Sequence, residues 1–173
     1  MVDLWSLDEC HFQQHGSRIR MWVPKEDVDP VQLLAPTRNS VSLFGAVNIR
    51  TGQLITQFEK KFDAMTFYHF LEKLIKYRPR GRRMVVILDN ARYHHANLLK
   101  PLLKKYCKRL KLEFLPPYSP ELNPVERVWK LMRRLCTHNE YFPNLQDLQS
   151  AVSNQVALWE VSNETLRKLC CTI

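Results

Sequence analysis

The chain has 173 residues, 45% of them hydrophobic, which suits one globular domain with a buried core. Its 26 Lys and Arg exceed its 17 Asp and Glu, and the formal net charge of +9 favours a polyanionic partner such as nucleic acid. No window approaches the roughly 20 apolar residues of a membrane span, and the start has no signal-peptide pattern, so neither membrane insertion nor secretion is expected.

The five cysteines, at positions 10, 107, 136, 170 and 171, form no C-x-x-C pair. An odd number of cysteines without that spacing argues against a disulfide framework and against a structural zinc site. We therefore expect the protein to work in a reducing, cytoplasmic compartment.

The first third of the chain has the alternation and turn residues of β-strands. Strands are predicted at 3–9, 19–23, 41–49 and 54–58, with a turn at 50–53 between the last two. Residues 24–40 contain three prolines and several polar residues, which predicts an irregular segment. The pattern in this part of the chain therefore predicts an antiparallel meander.

The middle of the chain predicts a helix followed by a buried strand. Asp63 is a candidate cap for a helix with apolar residues at helical spacing, namely Phe67, Phe70, Leu71, Leu74 and Ile75. The unbroken apolar run 84–88, after a basic cluster, predicts a central parallel strand buried on both faces.

The remaining elements are mostly helical. A helix with a disturbance at Pro101 is predicted at 95–106, and a short strand at 110–115. Another helix begins near Asn123, and 144–169 form one or two amphipathic helices.

Two acids lie in or directly after predicted strands. An ionised Asp8 inside a strand needs a partner, water or a metal, unless it lies on an edge strand and faces water. Alternation alone does not choose between Asp8 and Glu9 as the inward acid. Asp89 follows the buried run, at the strand end where open α/β sheets bind ligands, although Asp89 and Asn90 could equally form an Asx turn.

A third acid, Glu126, begins a helix. Asn123 as N-cap, Pro124 at the first helical position and Glu126 two residues later resemble a capping box, which requires no catalysis. The same placement holds the carboxylate rigidly, and the polar face of this helix carries basic residues that suit a phosphate backbone: Lys130, Arg133 and Arg134. Three carboxylates from two strands and a helix are typical of a divalent-metal nuclease.

Three segments resemble the signature blocks of DDE transposases: LDE at 7–9, LDNARYHH at 88–95 and LPPYSPELNPVERVW at 115–129. They are similar to the mariner superfamily and, within it, to the bacterial insertion-sequence branch. The 36 residues between Asp89 and Glu126 are compatible with the spacing in that group. The resemblance covers roughly residues 4–137.

The resemblance implies an α/β, ribonuclease-H-like fold with a mixed five-stranded sheet flanked by helices. It implies that Asp8, Asp89 and Glu126 ligate two Mg²⁺ or Mn²⁺ ions and catalyse hydrolysis at transposon ends, followed by attack of the freed 3′-hydroxyl on target DNA. Asn90 and His94 match the second block as supporting residues, and Asn123 the third.

The resemblance also implies DNA as partner, a homodimer in the active complex and a bacterial, nucleoid-associated location. We expect residues 1–173 to form a single catalytic domain with a helical extension at 138–173, and the helix-turn-helix modules of the family to be absent. Family members commonly have a Trp-x-x-Lys-Gly segment after the first acid. This sequence departs from that pattern, because Trp22-Val23-Pro24-Lys25 is followed by Glu26 in place of glycine.

Two other functions are compatible with the sequence. The first is an inactive or domesticated domain that binds DNA electrostatically and uses Glu126 only as a helix cap. The second is a metal nuclease of the same fold that acts on another nucleic acid, such as an RNA–DNA hybrid or a branched junction.

Overall fold

A computed structural model describes residues 2–17, 19–20, 22, 24, 33 and 35–171. One five-stranded sheet has the order β3-β2-β1-β4-β5. Strand β1 pairs antiparallel with β2, and β2 with β3, whereas β4 is parallel to both β1 and β5. The strands are β1 (Val2–Gln13), β2 (Ser40–Asn48), β3 (Leu54–Phe58), β4 (Arg83–Leu88) and β5 (Leu110–Phe114). The predicted mixed five-stranded sheet is confirmed.

Within the described residues, five α-helices accompany the sheet: α1 (Ala64–Leu74), α2 (Lys100–Lys105), α3 (Val125–Cys136), α4 (Leu145–Ala157) and α5 (Glu164–Cys170). Asp63 caps α1 as predicted, because its carboxylate accepts hydrogen bonds from the backbone N–H groups of Met65 and Thr66. Among the described helices, none combines the length and the apolar run needed to cross a bilayer.

The two faces of the sheet support separate hydrophobic cores. On one face Trp5 and Leu7 of β1 pack with Phe67 and Phe70 of α1. On the other face Cys10 and Phe12 of β1 pack in one cluster with residues of α3, α4 and α5, including Trp129. Each large apolar side chain that is fully buried contributes about 1.5–3 kcal/mol to the free energy of folding. Helix α3 is therefore held on one particular face of β1.

Several predicted elements differ from those observed. Ile19, Arg20 and Trp22 are in no strand, so the described part of the predicted strand 19–23 is wrong, while residues 21 and 23 lie outside the described residues. Most of the irregular segment 24–40 also lies outside them. The predicted helix 95–106 is shorter: α2 starts at Lys100, and two 3₁₀ turns precede it, because Pro101 has no N–H for an earlier helical turn.

Candidate active site

A cavity of about 460 Å³ opens at the carboxyl end of β4, and Asp8, Asp89 and Glu126 all line it. Strands β1 and β4 are parallel with Ser6 beside Ile87, and the same register continued by two residues sets Asp8 beside Asp89. Glu126 comes from the first turn of α3. The three carboxylates singled out in the sequence therefore meet at one cavity, although they are distant along the chain.

The face of β1 to which each acid points separates Asp8 from Glu9. Successive strand residues face opposite sides of a sheet. Asp8 shares the face of Cys10 and Phe12, where α3 packs, whereas Glu9 shares the face of Trp5 and Leu7. Only Asp8 can therefore meet Glu126.

The ionisation of Asp8 is shifted by burial first and by neighbouring carboxylates second. Burial raises the pKa of Asp8 to about 8, and the negative charges of Glu9 and Glu126 act in the same direction. The charge of Asp89 adds a smaller effect of the same sign. Gathering like charges in this way is unfavourable unless a proton or a cation is shared among them.

The alternative interpretation of Asn123 and Glu126 as a capping box at the start of α3 is wrong. The side chain of Asn123 turns away from the helix, where its amide donates to the Leu7 carbonyl oxygen at 3.1 Å and its side-chain oxygen accepts from the Ser6 hydroxyl. Ser6 Oγ in turn accepts from the Val125 N–H at 3.0 Å. A strand residue thus caps the helix, and no side chain on the preceding loop does. The Glu126 carboxylate is therefore not needed for capping.

A glycine lets α3 approach the sheet closely. Gly45 of β2 is paired with Asp8, and a Cβ at this position would lie 2.7 Å from Cζ2 of Trp129 and closer still to Cη2. Trp129 is fully buried and lies one helical turn after Glu126. The absence of a side chain at residue 45 therefore helps to bring Glu126 towards Asp8. The sequence alone does not indicate this role, because a glycine within a strand pattern signals only a close approach by a partner that the sequence does not identify.

Asp89 is held by a buried histidine. His94 Nδ1 lies 3.0 Å from Asp89 Oδ1, and His94 Nε2 lies 3.2 Å from Glu9 Oε1. Burial by itself would lower the pKa of His94, but the hydrogen bonds to Asp89 and Glu9 outweigh it and raise this pKa to about 9. The hydrogen bond from His94 in turn lowers the pKa of Asp89. His94 is therefore a cation at neutral pH that links the two acids.

Glu9, Asp89 and His94 also offer ligand atoms that all lie within 4.8 Å of one another, the spacing of a metal site. A protonated imidazole donates from both nitrogens and has no lone pair for a metal. We therefore interpret this group as an ion-pair network that orients Asp89. Tyr93, whose hydroxyl also donates to Glu9, completes it.

The other predicted supporting and DNA-binding residues have varied surroundings. Asn90 donates its side-chain amide to the Leu115 carbonyl and so ties the end of β4 to the end of β5. Lys130 is exposed and lines a second cavity, of about 450 Å³, which shares Pro120, Asn123 and Glu126 with the first. Arg134 is exposed as well.

Arg133 is less accessible than predicted. This half-buried residue hydrogen-bonds to Cys10 Sγ at 3.2 Å, and its guanidinium carbon lies 5.8 Å from the centre of the Phe12 ring. Much of its side chain is therefore occupied inside the protein.

Tyr118 is a further residue at the cavity that was not among the predicted site residues. Its side chain is fully exposed and lines the carboxylate cavity, and its backbone has the left-handed φ of +57°, which is uncommon outside glycine. Pro116, Pro117 and Pro120 stiffen the surrounding loop. The ring is thus presented at the rim of the cavity, and the unusual run of prolines around an aromatic residue was the signal available in the sequence.

Strand order, parallel pairing of β1 with β4 and the placement of carboxylates at their ends define a ribonuclease-H-like domain. Residues 3–149 match the family model described as DDE superfamily endonuclease. The chain belongs to this family, as the three sequence blocks predicted.

Individual relatives agree with this membership. The chain is 35% identical over 117 residues to the uncharacterized protein y4pE/y4sA of Sinorhizobium fredii, a match that covers 68% of this chain and 81% of that protein. It is 26% identical over 110 residues to the insertion element IS630 uncharacterized 39 kDa protein of Shigella sonnei, covering 64% of this chain and 32% of the relative. The second match fits the bacterial insertion-sequence branch.

A solved structure confirms the predicted fold. The crystal structure of the mariner Mos1 paired end complex with Mg superimposes with a TM-score of 0.68 at 20% identity, over 96% of this chain and 52% of that one. This chain thus spans about half the length of the Mos1 chain and about a third of the IS630 protein.

Proposed function

We propose that this domain cleaves DNA at the ends of a mobile element and joins the freed 3′-hydroxyl to target DNA, with Asp8, Asp89 and Glu126 as its catalytic residues. The observation that carries this proposal is the convergence of the three carboxylates on one cavity. Burial, with the charges of Glu9, Glu126 and Asp89, raises the pKa of Asp8 to about 8, which is consistent with a site that favours a bound cation. Hydrolysis comes first, and in the second reaction the 3′-hydroxyl takes the place of water.

The donor set suits two Mg²⁺ or Mn²⁺ ions held by these carboxylates. Magnesium prefers oxygen ligands, few of them from the protein, and positive charge would relieve the repulsion that Asp8 experiences. When bound, such ions lower the pKa of the attacking hydroxyl and stabilise the leaving oxygen. No serine or cysteine nucleophile is then required.

The residues around the carboxylates orient them and receive the substrate. Both the Ala91 N–H and His94 contact Oδ1 of Asp89, which directs Oδ2 to serve as a ligand. Glu126 is held in place because Asn123 and Ser6 attach the start of α3 to β1. Lys130 and Arg134, exposed on α3, would contact phosphates on the way to the cavity.

The partners follow from the same chemistry. The net charge of +9 suits DNA, and the similar Mos1 structure is described as a paired end complex. We extend this to a homodimer that holds two element ends. In such an assembly one cavity per subunit would process one end.

A plasmid assay tests the proposal. The protein should nick supercoiled plasmid with Mg²⁺ or Mn²⁺ and not with EDTA. Asp89→Asn and Glu126→Gln should each lower the rate at least about 100-fold, because each removes a ligand charge. Glu126→Gln should leave thermal unfolding near that of the wild type, whereas Asp89→Asn should also lower stability because it weakens the ion pair with buried His94. Glu160→Gln, at an exposed acid after α4, is the matched control and should cleave normally.

Other results would contradict the proposal. Cleavage by Asp89→Asn at the wild-type rate would show that the Asp89 carboxylate is not needed for catalysis. Faster cutting of an RNA–DNA hybrid or a branched junction than of duplex DNA would assign the same site to another substrate. Metal-independent binding without any cleavage would favour a domain that has lost activity.

A further inference from the structure

The positive charge of the chain is concentrated in one segment. Residues 73–111 contain 13 of the 26 Lys and Arg and only one of the 17 Asp and Glu, Asp89. This segment therefore has a formal charge of +12, and the rest of the chain has a formal charge of −3. The whole excess of positive charge belongs to the part of the fold that contains β4 and β5.

Most of these residues lie at the amino ends of the two parallel strands. The turns before β4 and β5 meet there, because Arg83 donates to the Cys107 carbonyl oxygen at 3.0 Å and the Met84 N–H donates to the Arg109 carbonyl oxygen at 2.8 Å. We call this surface the basic edge, defined by six residues: Arg80, Arg83, Lys104, Lys105, Lys108 and Arg109.

The basic edge is far from the carboxylate cavity. Asp89 follows the carboxyl end of β4, and the basic edge lies at the amino end of that strand, where Arg83 is its first residue. A strand of six residues spans ~20 Å at about 3.3 Å per residue. The two sites therefore lie at opposite ends of the same strand.

The charges of the basic edge are not neutralised locally. All six side chains belong to exposed residues. Within the part of the chain that the structure describes, none of the six is within 4.0 Å of a carboxylate, whereas neighbouring Lys111 pairs with Glu113. Charges of one sign at this density repel one another, and a polyanion relieves the repulsion.

We infer that the basic edge binds the sugar-phosphate backbone of double-stranded DNA, at a surface separate from the cavity that cuts it. The inference rests on the proposed function, which makes DNA the substrate. Turns rich in Lys and Arg suit phosphate contacts, and the surface offers no long helix that could enter the major groove, so binding is independent of base sequence. The distance between the sites allows the basic edge to hold a DNA segment other than the one being cut.

Two triple variants that remove equal charge test this inference. Arg80→Gln/Lys104→Gln/Lys108→Gln alters the basic edge. Arg38→Gln/Arg50→Gln/Lys60→Gln, at exposed residues flanking β2 and β3, is the matched control. Binding of a 30-base-pair duplex of arbitrary sequence is measured over a salt series in EDTA.

The basic-edge variant should reduce the slope of log affinity against log salt by about 2–3 units, since each phosphate contact contributes about 0.9. The control should leave the slope unchanged. Equal slopes for both variants would overturn the inference. Binding of polyglutamate, an acidic peptide, is measured in parallel, and a basic-edge variant that loses polyglutamate binding but keeps duplex binding would also overturn it. Should the triple variant not fold, Lys104→Gln and Lys108→Gln tested singly are each expected to reduce the slope by about 0.9.

This test is independent of catalysis. Asp89→Asn should bind the duplex with the wild-type slope. A reduced slope for the basic-edge variant together with no metal-dependent cleavage would contradict only the proposed function. Cleavage that depends on Asp89, together with an unchanged slope, would contradict only the basic edge.

Discussion

The hydroxyl of Ser6 donates to the side-chain oxygen of Asn123, and this bond attaches the start of α3 to β1, two residues from Asp8. Both residues are buried, at 0% and 3% exposure. The same hydroxyl accepts the Val125 N–H, so strand and helix share one hydrogen-bond network. The distance between Asp8 and Glu126 thus depends on two residues that carry no charge.

Asn123→Ala should lower the free energy of unfolding by about 1–3 kcal/mol, because the Leu7 carbonyl oxygen loses its side-chain donor and the Ser6 hydroxyl its acceptor in a buried site. Mn²⁺ affinity should also fall, since Glu126 is no longer fixed. Denaturant unfolding and calorimetric Mn²⁺ titration measure the two effects. Asn144→Ala is the control: it removes the true N-cap of α4, and should cost about 1 kcal/mol without weakening Mn²⁺ binding. Equal Mn²⁺ affinities for the two variants would contradict the positioning role.

Gly45→Ala should destabilise the protein by about 1–3 kcal/mol, because the added methyl group overlaps the buried ring of Trp129. The displaced helix should carry Glu126 away from Asp8 and weaken Mn²⁺ binding. Gly45→Ala introduced into the Trp129→Phe variant, whose ring is smaller, should cause smaller losses of stability and of Mn²⁺ affinity than Gly45→Ala in the wild type. Chemical unfolding and Mn²⁺ titration of the double-mutant cycle check this. Strictly additive effects would show that the two residues do not compete for space.

The His94 side chain should titrate near pH 9 in the folded protein, and nitrogen-detected NMR can follow it. Since this value lies above the ordinary 6.5, the ion pairs of His94 stabilise the fold fully below pH 6.5, and the contribution is lost as pH rises through 9. Glu9→Gln should lower the pKa of His94, because a neutral amide replaces a charged acceptor. Glu72→Gln, beside exposed His69, should leave the His94 resonance unchanged. Titration of wild-type His94 near 6.5 would show that it is not held between two ionised acids.

A thiol reagent at pH 8 should modify two cysteines rapidly, the exposed Cys107 and Cys171, and all five after denaturation. Burial raises the pKa of Cys10 to about 12 and that of Cys136 and Cys170 to about 11, so these three stay protonated and unreactive. Because unfolded thiols ionise near pH 9, their burial should make stability decline as pH rises above 9. Cys107→Ser should remove one rapid equivalent. A third rapidly reacting thiol in the native protein would show that Cys10, Cys136 and Cys170 are not all buried.

Local patterns in the sequence were sufficient for much of the architecture. The apolar run before Asp89 identified β4, and Asp63 identified the start of α1, because strand burial and helix capping depend on neighbours along the chain. The same reasoning failed at α3, where a plausible capping box was available in the sequence. Its cap comes instead from Ser6, 119 residues away, and local patterns carry no information about contacts at that separation.

The sequence by itself determined the family, most of the element types and a small set of candidate acids, since these depend on residue identity and short-range spacing. Only the tertiary structure decided which acid of β1 faces the cavity, because the alternation of a strand has two equivalent phases until α3 covers one face. It also decided how Gly45 admits Trp129 and how His94 links Asp89 to Glu9. Packing and low-dielectric electrostatics create these relationships, and both act between residues that are neighbours in space and not along the chain.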